Sequence, residues 1–134
     1  MSPPRKTPVI RQTGLADCGA ACLAMILATH GKKVPLPELK KRMKIGESGV
    51  NALVLLKTAK HYGLRGRGVE ANLAGLRKVE LPAIVHLGHR HFVVLIRFTE
   101  DLVEIIDPGL GRQKLTREQF ELLFSGAALL FTRP

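Results

Sequence analysis

The chain has 134 residues, enough for one domain with a buried core. Hydrophobic residues make up 46% and charged residues 24%, which excludes a disordered or fibrous chain. The formal charge of +10 leaves open an anionic partner, but the aromatics are five Phe and one Tyr, mostly inside apolar runs, and no nucleic-acid recognition motif accompanies them.

No apolar run approaches the roughly 20 residues that span a bilayer. The opening MSPPRKTPVI lacks the apolar segment of a secretory signal. A soluble, cytosolic chain is expected. The basic residues are scattered apart from Lys40, Lys41, Arg42 and Lys44, and they read as a solvated face suited to an acidic ligand or phospholipid headgroups.

Residues 1–11, with Pro3, Pro4 and Pro8, read as extended, and 1–8 as flexible. A helix is predicted from about Cys18 to His30, stopped by Gly31. Beyond Pro35 and Pro37, ELKKRM forms a short helix with Leu39 and Met43 on one face. Ser48 is placed to cap a helix from about Gly49 to Tyr62, whose Val50, Leu53, Leu56 and Lys60 mark the edge of a stripe. Residues 64–70 form a possible strand, and Leu73 with Leu76 a helical turn. From Pro82 onward AIVHL, HFVVLIRF and LVEIID read as strands, with a hairpin tip at Glu100 and Asp101. A short RQKL strand, a helix capped by Thr116 and running through Phe124, and a closing AALLFT strand complete an α+β order. One domain, 1–134, is expected.

Chemistry concentrates in one run. Gln12 is followed by ADCGAACLAMI, in which a polar turn meets an apolar helix at Cys18. A thiol at a helix N-terminus is drawn toward its thiolate by the helix dipole. Gln12 could offer an N–H to a developing oxyanion. His91 opens HFVVL and Asp107 opens DPGLGR. A cysteine nucleophile needs a base to keep it ionised and a third group to orient that base. If the two strands pair through the hairpin, opposed residues have numbers summing to about 198 or 200, and His91 with Asp107 gives 198, side by side at one sheet end.

Simpler roles suit the other candidates. Cys22 lies one turn beyond Cys18, with Cβ atoms about 5–6 Å apart, too far for a disulfide; it is assigned to packing. His86 reads as a core or sheet-face residue, His89 is the rival to His91, and His30 and His61 sit near helix C-termini. Cys18, Cys22, His89 and His91 make a poor zinc set, because the two histidines are one residue apart. GLG and GRG lack the Lys-Ser/Thr ending of a phosphate loop.

The order of blocks resembles the double-glycine leader peptidase domain, the papain-like cysteine peptidase of bacterial peptidase-containing ABC exporters of bacteriocins. The matching segments are Gln12 with DCGAACLAMI, then ESGV, YGL, LPAIVHL, HFVVL, DPGLGR and GAALLF, from about Pro8 to Phe131. The resemblance implies N-terminal helices packed on an antiparallel sheet. It implies Cys18 as nucleophile, His91 as general base and acid, Asp107 as the group orienting His91, and Gln12 with the Cys18 backbone N–H as oxyanion hole. It further implies cleavage after Gly-Gly or Gly-Ala at the end of a leader peptide, without metal or cofactor; ATP would serve only an attached exporter domain. The implied partners are a leader peptide and the transmembrane and nucleotide-binding domains of an exporter, on the cytoplasmic side of the bacterial inner membrane, with no nucleic acid. The alternative is a docking domain of the same fold that holds peptide without cutting it. Asp17 departs from the glutamate that usually precedes the family's cysteine.

Overall fold

The run CGAACLAMILAT carries no charge, and its helix α1 (Cys18–Thr29) buries eleven of its twelve residues. A helix apolar all round belongs inside a domain, and α1 runs through the centre of the helical layer. Gly31, at φ +84°, lets the chain leave it. Two helices cover α1: α2 (Leu36–Met43) buries Leu36, Leu39 and Met43, and α3 (Ala52–His61) buries Leu55, Thr58 and Ala59. The computed structural model describes residues 6–14, 16–44, 49–88 and 91–132.

The second half forms β1 (Arg65–Glu70), α4 (Leu73–Leu76), β2 (Ala83–Leu87), β3 (His91–Phe98), β4 (Val103–Asp107), β5 (Gly111–Leu115), α5 (Arg117–Leu123) and β6 (Phe124–Thr132). The strands make one sheet in the order β1-β6-β2-β3-β4-β5, all neighbours antiparallel. Strand alternation divides the core in two. Ile84, Val94, Ile106 and Leu129 face α1 and its neighbours. Val85, Val93, Leu95, Ile105 and Ala128 face the opposite way, against Leu76 of α4 and Phe120 of α5.

Four expectations are corrected. The third helix begins at Ala52, capped by Asn51, whose side chain accepts from the Val54 N–H at 3.0 Å; Ser48 lies outside the described residues. Its buried stripe runs through Leu55 and Ala59, while Leu53 is 58% exposed. The β3–β4 register sums to 200 at Val94↔Ile106 and to 201 at Phe98↔Val103, with an irregularity between Leu95 and Arg97. Extended by one residue from Val94↔Ile106, that register sets Val93 opposite Asp107. His91 is therefore a diagonal neighbour of Asp107 rather than its opposed partner, still within reach of a long side chain. The closing strand also starts earlier, at Phe124.

Candidate active site

Cys18 is the first residue of α1, at the point where the buried helix emerges beside the sheet. The helix is pressed close there: a Cβ on Gly19 would lie 2.9 Å from Val50 Cγ2. His91 begins β3 and Asp107 ends β4. Both share the parity of residues that face away from α1, such as Val93 and Ile105. Standing at strand ends, their side chains are free to follow the end of the sheet toward the helix terminus, and there they meet.

His91 Nε2 lies 3.0 Å from Asp107 Oδ2, which leaves Nδ1 as the ring nitrogen for the thiol of Cys18. Burial pushes the Cys18 thiol up, but the hydrogen bond and charge of His91, with the backbone N–H groups of Phe92 and Gly19, bring it below its ordinary 9.0. His91 moves the other way. Its hydrogen bond with Cys18 raises it, burial opposes, and the Asp107 carboxylate raises it further, to about 9. Each shift favours the thiolate–imidazolium pair. Asp107 divides its oxygens: Oδ1 accepts from the Gly109 N–H at 2.7 Å, and Oδ2 faces the imidazole. The DPG sequence makes this possible, because aspartate readily accepts from the backbone two residues on.

Gln12 stands beside this trio. Its backbone N–H donates to Pro108 O at 2.9 Å, fixing it against the turn that carries Asp107. Its Nε2 donates to Gly14 O at 2.9 Å, and its Oε1 is buried without a partner. Cys22 is fully buried, and burial together with the charges of Cys18 and Asp107 pushes its thiol well up. Both cysteines are free. His86 is half-buried, 3.0 Å from Ser125 Oγ and edge-on to Phe92. Burial and the nearby His91 lower it. His89 lies outside the described residues.

Sequence reasoning missed the buried Asp17, whose Oδ2 is 2.8 Å from Lys40 Nζ and accepts from Thr13 Oγ1 at 2.8 Å. Burial raises this carboxyl, but Lys40 and Thr13 outweigh it and hold it below its usual range. Aspartate before a helix signals a cap; nothing local announces a lysine from the next helix.

An apolar cleft of about 320 Å³ is lined by Val50, Ala52, Ile84, His86, Phe92 and Leu129 among others. Phe92 follows His91 directly, and its N–H reaches the Cys18 sulfur. Larger clefts around Arg65 and Gly66 share no residue with this neighbourhood. Residues 6–134 match the peptidase C39 family. The chain belongs to that family.

This C39 domain is similar to a solved double-glycine motif protease from an AMS/PCAT transporter, crystallised in complex with the leader peptide. The two share 39% identity with a TM-score of 0.92, over 96% of this chain and 93% of that one. It is 34% identical over 125 residues to the colicin V secretion/processing ATP-binding protein of Escherichia coli, a match covering 93% of this chain and 18% of that protein. An uncharacterised protein of Methanothermobacter thermautotrophicus is 33% identical over 126 residues, 94% of this chain and 89% of its own length. The chain thus spans about a fifth of the ATP-binding relatives it matches. Among the described residues no helix is long and apolar enough to cross a membrane.

Proposed function

We propose that the domain is a cysteine endopeptidase that removes the leader from precursor peptides after Gly-Gly or Gly-Ala. The observation that carries this is the chain of contacts from the Cys18 sulfur through His91 to Asp107. The Cys18 thiolate attacks the scissile carbonyl carbon, and the oxyanion is held by the Cys18 backbone N–H with Gln12. His91 gives its proton to the leaving amine as the thioester forms, then takes one from the water that releases the acid. Asp107 keeps the imidazole oriented. No step calls for a metal or nucleotide.

The apolar cleft beside Phe92 suits apolar side chains of a leader, and the burial of Cys18 suits only the smallest side chains at the bond. The double-glycine protease similar to this chain was crystallised with a leader peptide, which supports that substrate class. The secretion/processing ATP-binding relatives support an exporter context; in this proposal the partners are transmembrane and nucleotide-binding domains, and the domain works on the cytoplasmic face of the membrane.

The test is mass spectrometry of a synthetic leader–core peptide with a Gly-Gly junction, incubated with the native chain, Cys18→Ala and Cys22→Ala. A cut directly after Gly-Gly that vanishes only with Cys18→Ala is expected. Binding of several leaders without any cut would replace the peptidase with a docking domain.

A further inference from the structure

Asp17 occupies the N-cap position of α1, and aspartate there normally accepts from the N–H of the second or third helical residue. Here the side chain caps nothing. Its carboxylate is turned away, to Lys40 Nζ at 2.8 Å, Thr13 Oγ1 at 2.8 Å and the backbone N–H of Gly14, and Lys40 also donates to Thr13 Oγ1 at 3.1 Å. The pair is largely removed from water on one side only: the Asp17 side chain is 4% exposed and that of Lys40 35%.

The vacated cap position is chemically costly to fill. The second helical residue is Gly19, whose N–H supports the Cys18 sulfur. The orphan N–H groups of a helix start, with their share of the dipole, are also what a developing oxyanion would use. A carboxylate capping α1 would take the Gly19 N–H from the thiolate and set a second negative charge beside it.

We propose that Lys40 is a positioning residue for Cys18: with Thr13 it holds the Asp17 carboxylate off the N-terminus of α1, reserving that terminus for the thiolate and the oxyanion. The role rests on Cys18 acting as the nucleophile. It also separates Lys40 from its basic neighbours, since Lys41 is exposed and Arg42 lies against the Tyr62 ring and hydroxyl. Among the described residues, the ionisable groups that surround Cys18 are His91 from β3, Asp107 from β4 through His91, Cys22 one turn along α1, and the Asp17–Lys40 pair. Only the last changes in the test.

The experiment follows Cys18 alkylation by iodoacetamide against pH, together with kcat and KM on a Gly-Gly peptide. The variants are Lys40→Met, Asp17→Ala, the double variant and Lys41→Met, all in a Cys22→Ala background, with thermal unfolding of each. In Lys40→Met the freed carboxylate swings onto α1: the alkylation midpoint moves up, and kcat falls about tenfold or more with KM nearly unchanged. Adding Asp17→Ala to Lys40→Met removes the carboxylate, and the alkylation midpoint returns to that of the parent. Lys41→Met behaves like the parent. A Lys40→Met midpoint equal to the parent's, or a shift that Asp17→Ala does not reverse, overturns the proposal. Alkylation is read without substrate, so a parent that cuts no peptide counts against the peptidase and leaves the positioning test standing.

Discussion

Cys18 and Cys22 are separated by one helical turn, yet their surroundings drive them apart chemically. Cys22 has only burial and neighbouring negative charge, and its thiol is held protonated. Cys18 has an imidazole and two backbone N–H groups, enough to overcome its own burial. With His91 raised to about 9, the direction of the pH dependence follows. The thiolate–imidazolium pair forms as pH rises through the lowered Cys18 value and is lost as His91 gives up its proton near pH 9. Activity, measured as kcat/KM against pH, is therefore expected to plateau between these limits and fall above about pH 9. Asp107→Asn removes one of the charges that raise His91, so its alkaline limb moves down. An alkaline limb unmoved by that change would mean the carboxylate does not govern His91. Cys18, His91 and Asp107 were legible because each sits at a boundary that local sequence marks: a helix start, a strand start and a DPG turn. The route to Asp107 was legible only in part, because a register sum assumes no irregularity and β3 has one near Ile96. Lys40 could not be read at all, since its partner is far from it in the chain.

Among the elements, α1 was predictable almost to its ends, because an unbroken apolar run with Gly31 behind it permits little else. Helix α3 was not: Val50 just before it and Leu53 within it look like core residues, but the helix turns Leu55 and Ala59 inward and leaves Leu53 out. Which face of a short amphipathic helix is buried depends on what it packs against, here α1 at Gly19. That crossing supports a prediction about the glycine itself. Gly19→Ala gains helix propensity worth about 1 kcal/mol. The new methyl, however, would sit 2.9 Å from the stiff Val50 side chain and 3.4 Å from Leu55, and overpacking of this kind costs about 1–3 kcal/mol. The variant is expected to unfold at lower temperature by an amount equivalent to about 1 kcal/mol, and to alkylate more slowly at Cys18 because α1 is pushed away from His91. A more stable Gly19→Ala with normal alkylation would show that α3 yields freely.

At the scale of the whole molecule, the helical layer and the sheet must be held in register for a nucleophile on one to meet a base on the other. Part of that task falls to the segment from Thr7 to Gln12, which belongs to neither layer. Thr7 is buried, bonded through its hydroxyl to Thr29 near the end of α1 and through its carbonyl to Arg112 Nη2 of β5 at 2.7 Å. Four residues on, Arg11 Nη1 donates to Gly109 O at 3.0 Å, and the Gln12 N–H meets Pro108 O. The segment thus straps α1 to the β4–β5 turn and delivers Gln12 to the site from the sheet side. Arg112→Ala cuts the strap at its far end while leaving Cys18, His91 and Asp107 in place. A hydrogen bond from a charged donor at a partly exposed site contributes about 1 kcal/mol net, so a modest loss of stability is expected. The sharper expectation is local. In hydrogen exchange the Gln12 amide, which Pro108 O protects, should exchange faster relative to amides in α1, and kcat should fall while the Cys18 alkylation profile stays where it was. Exchange at Gln12 unchanged in Arg112→Ala would mean that Arg11 and the Gln12–Pro108 bond hold the segment without help, and that the two layers are registered by their shared core alone.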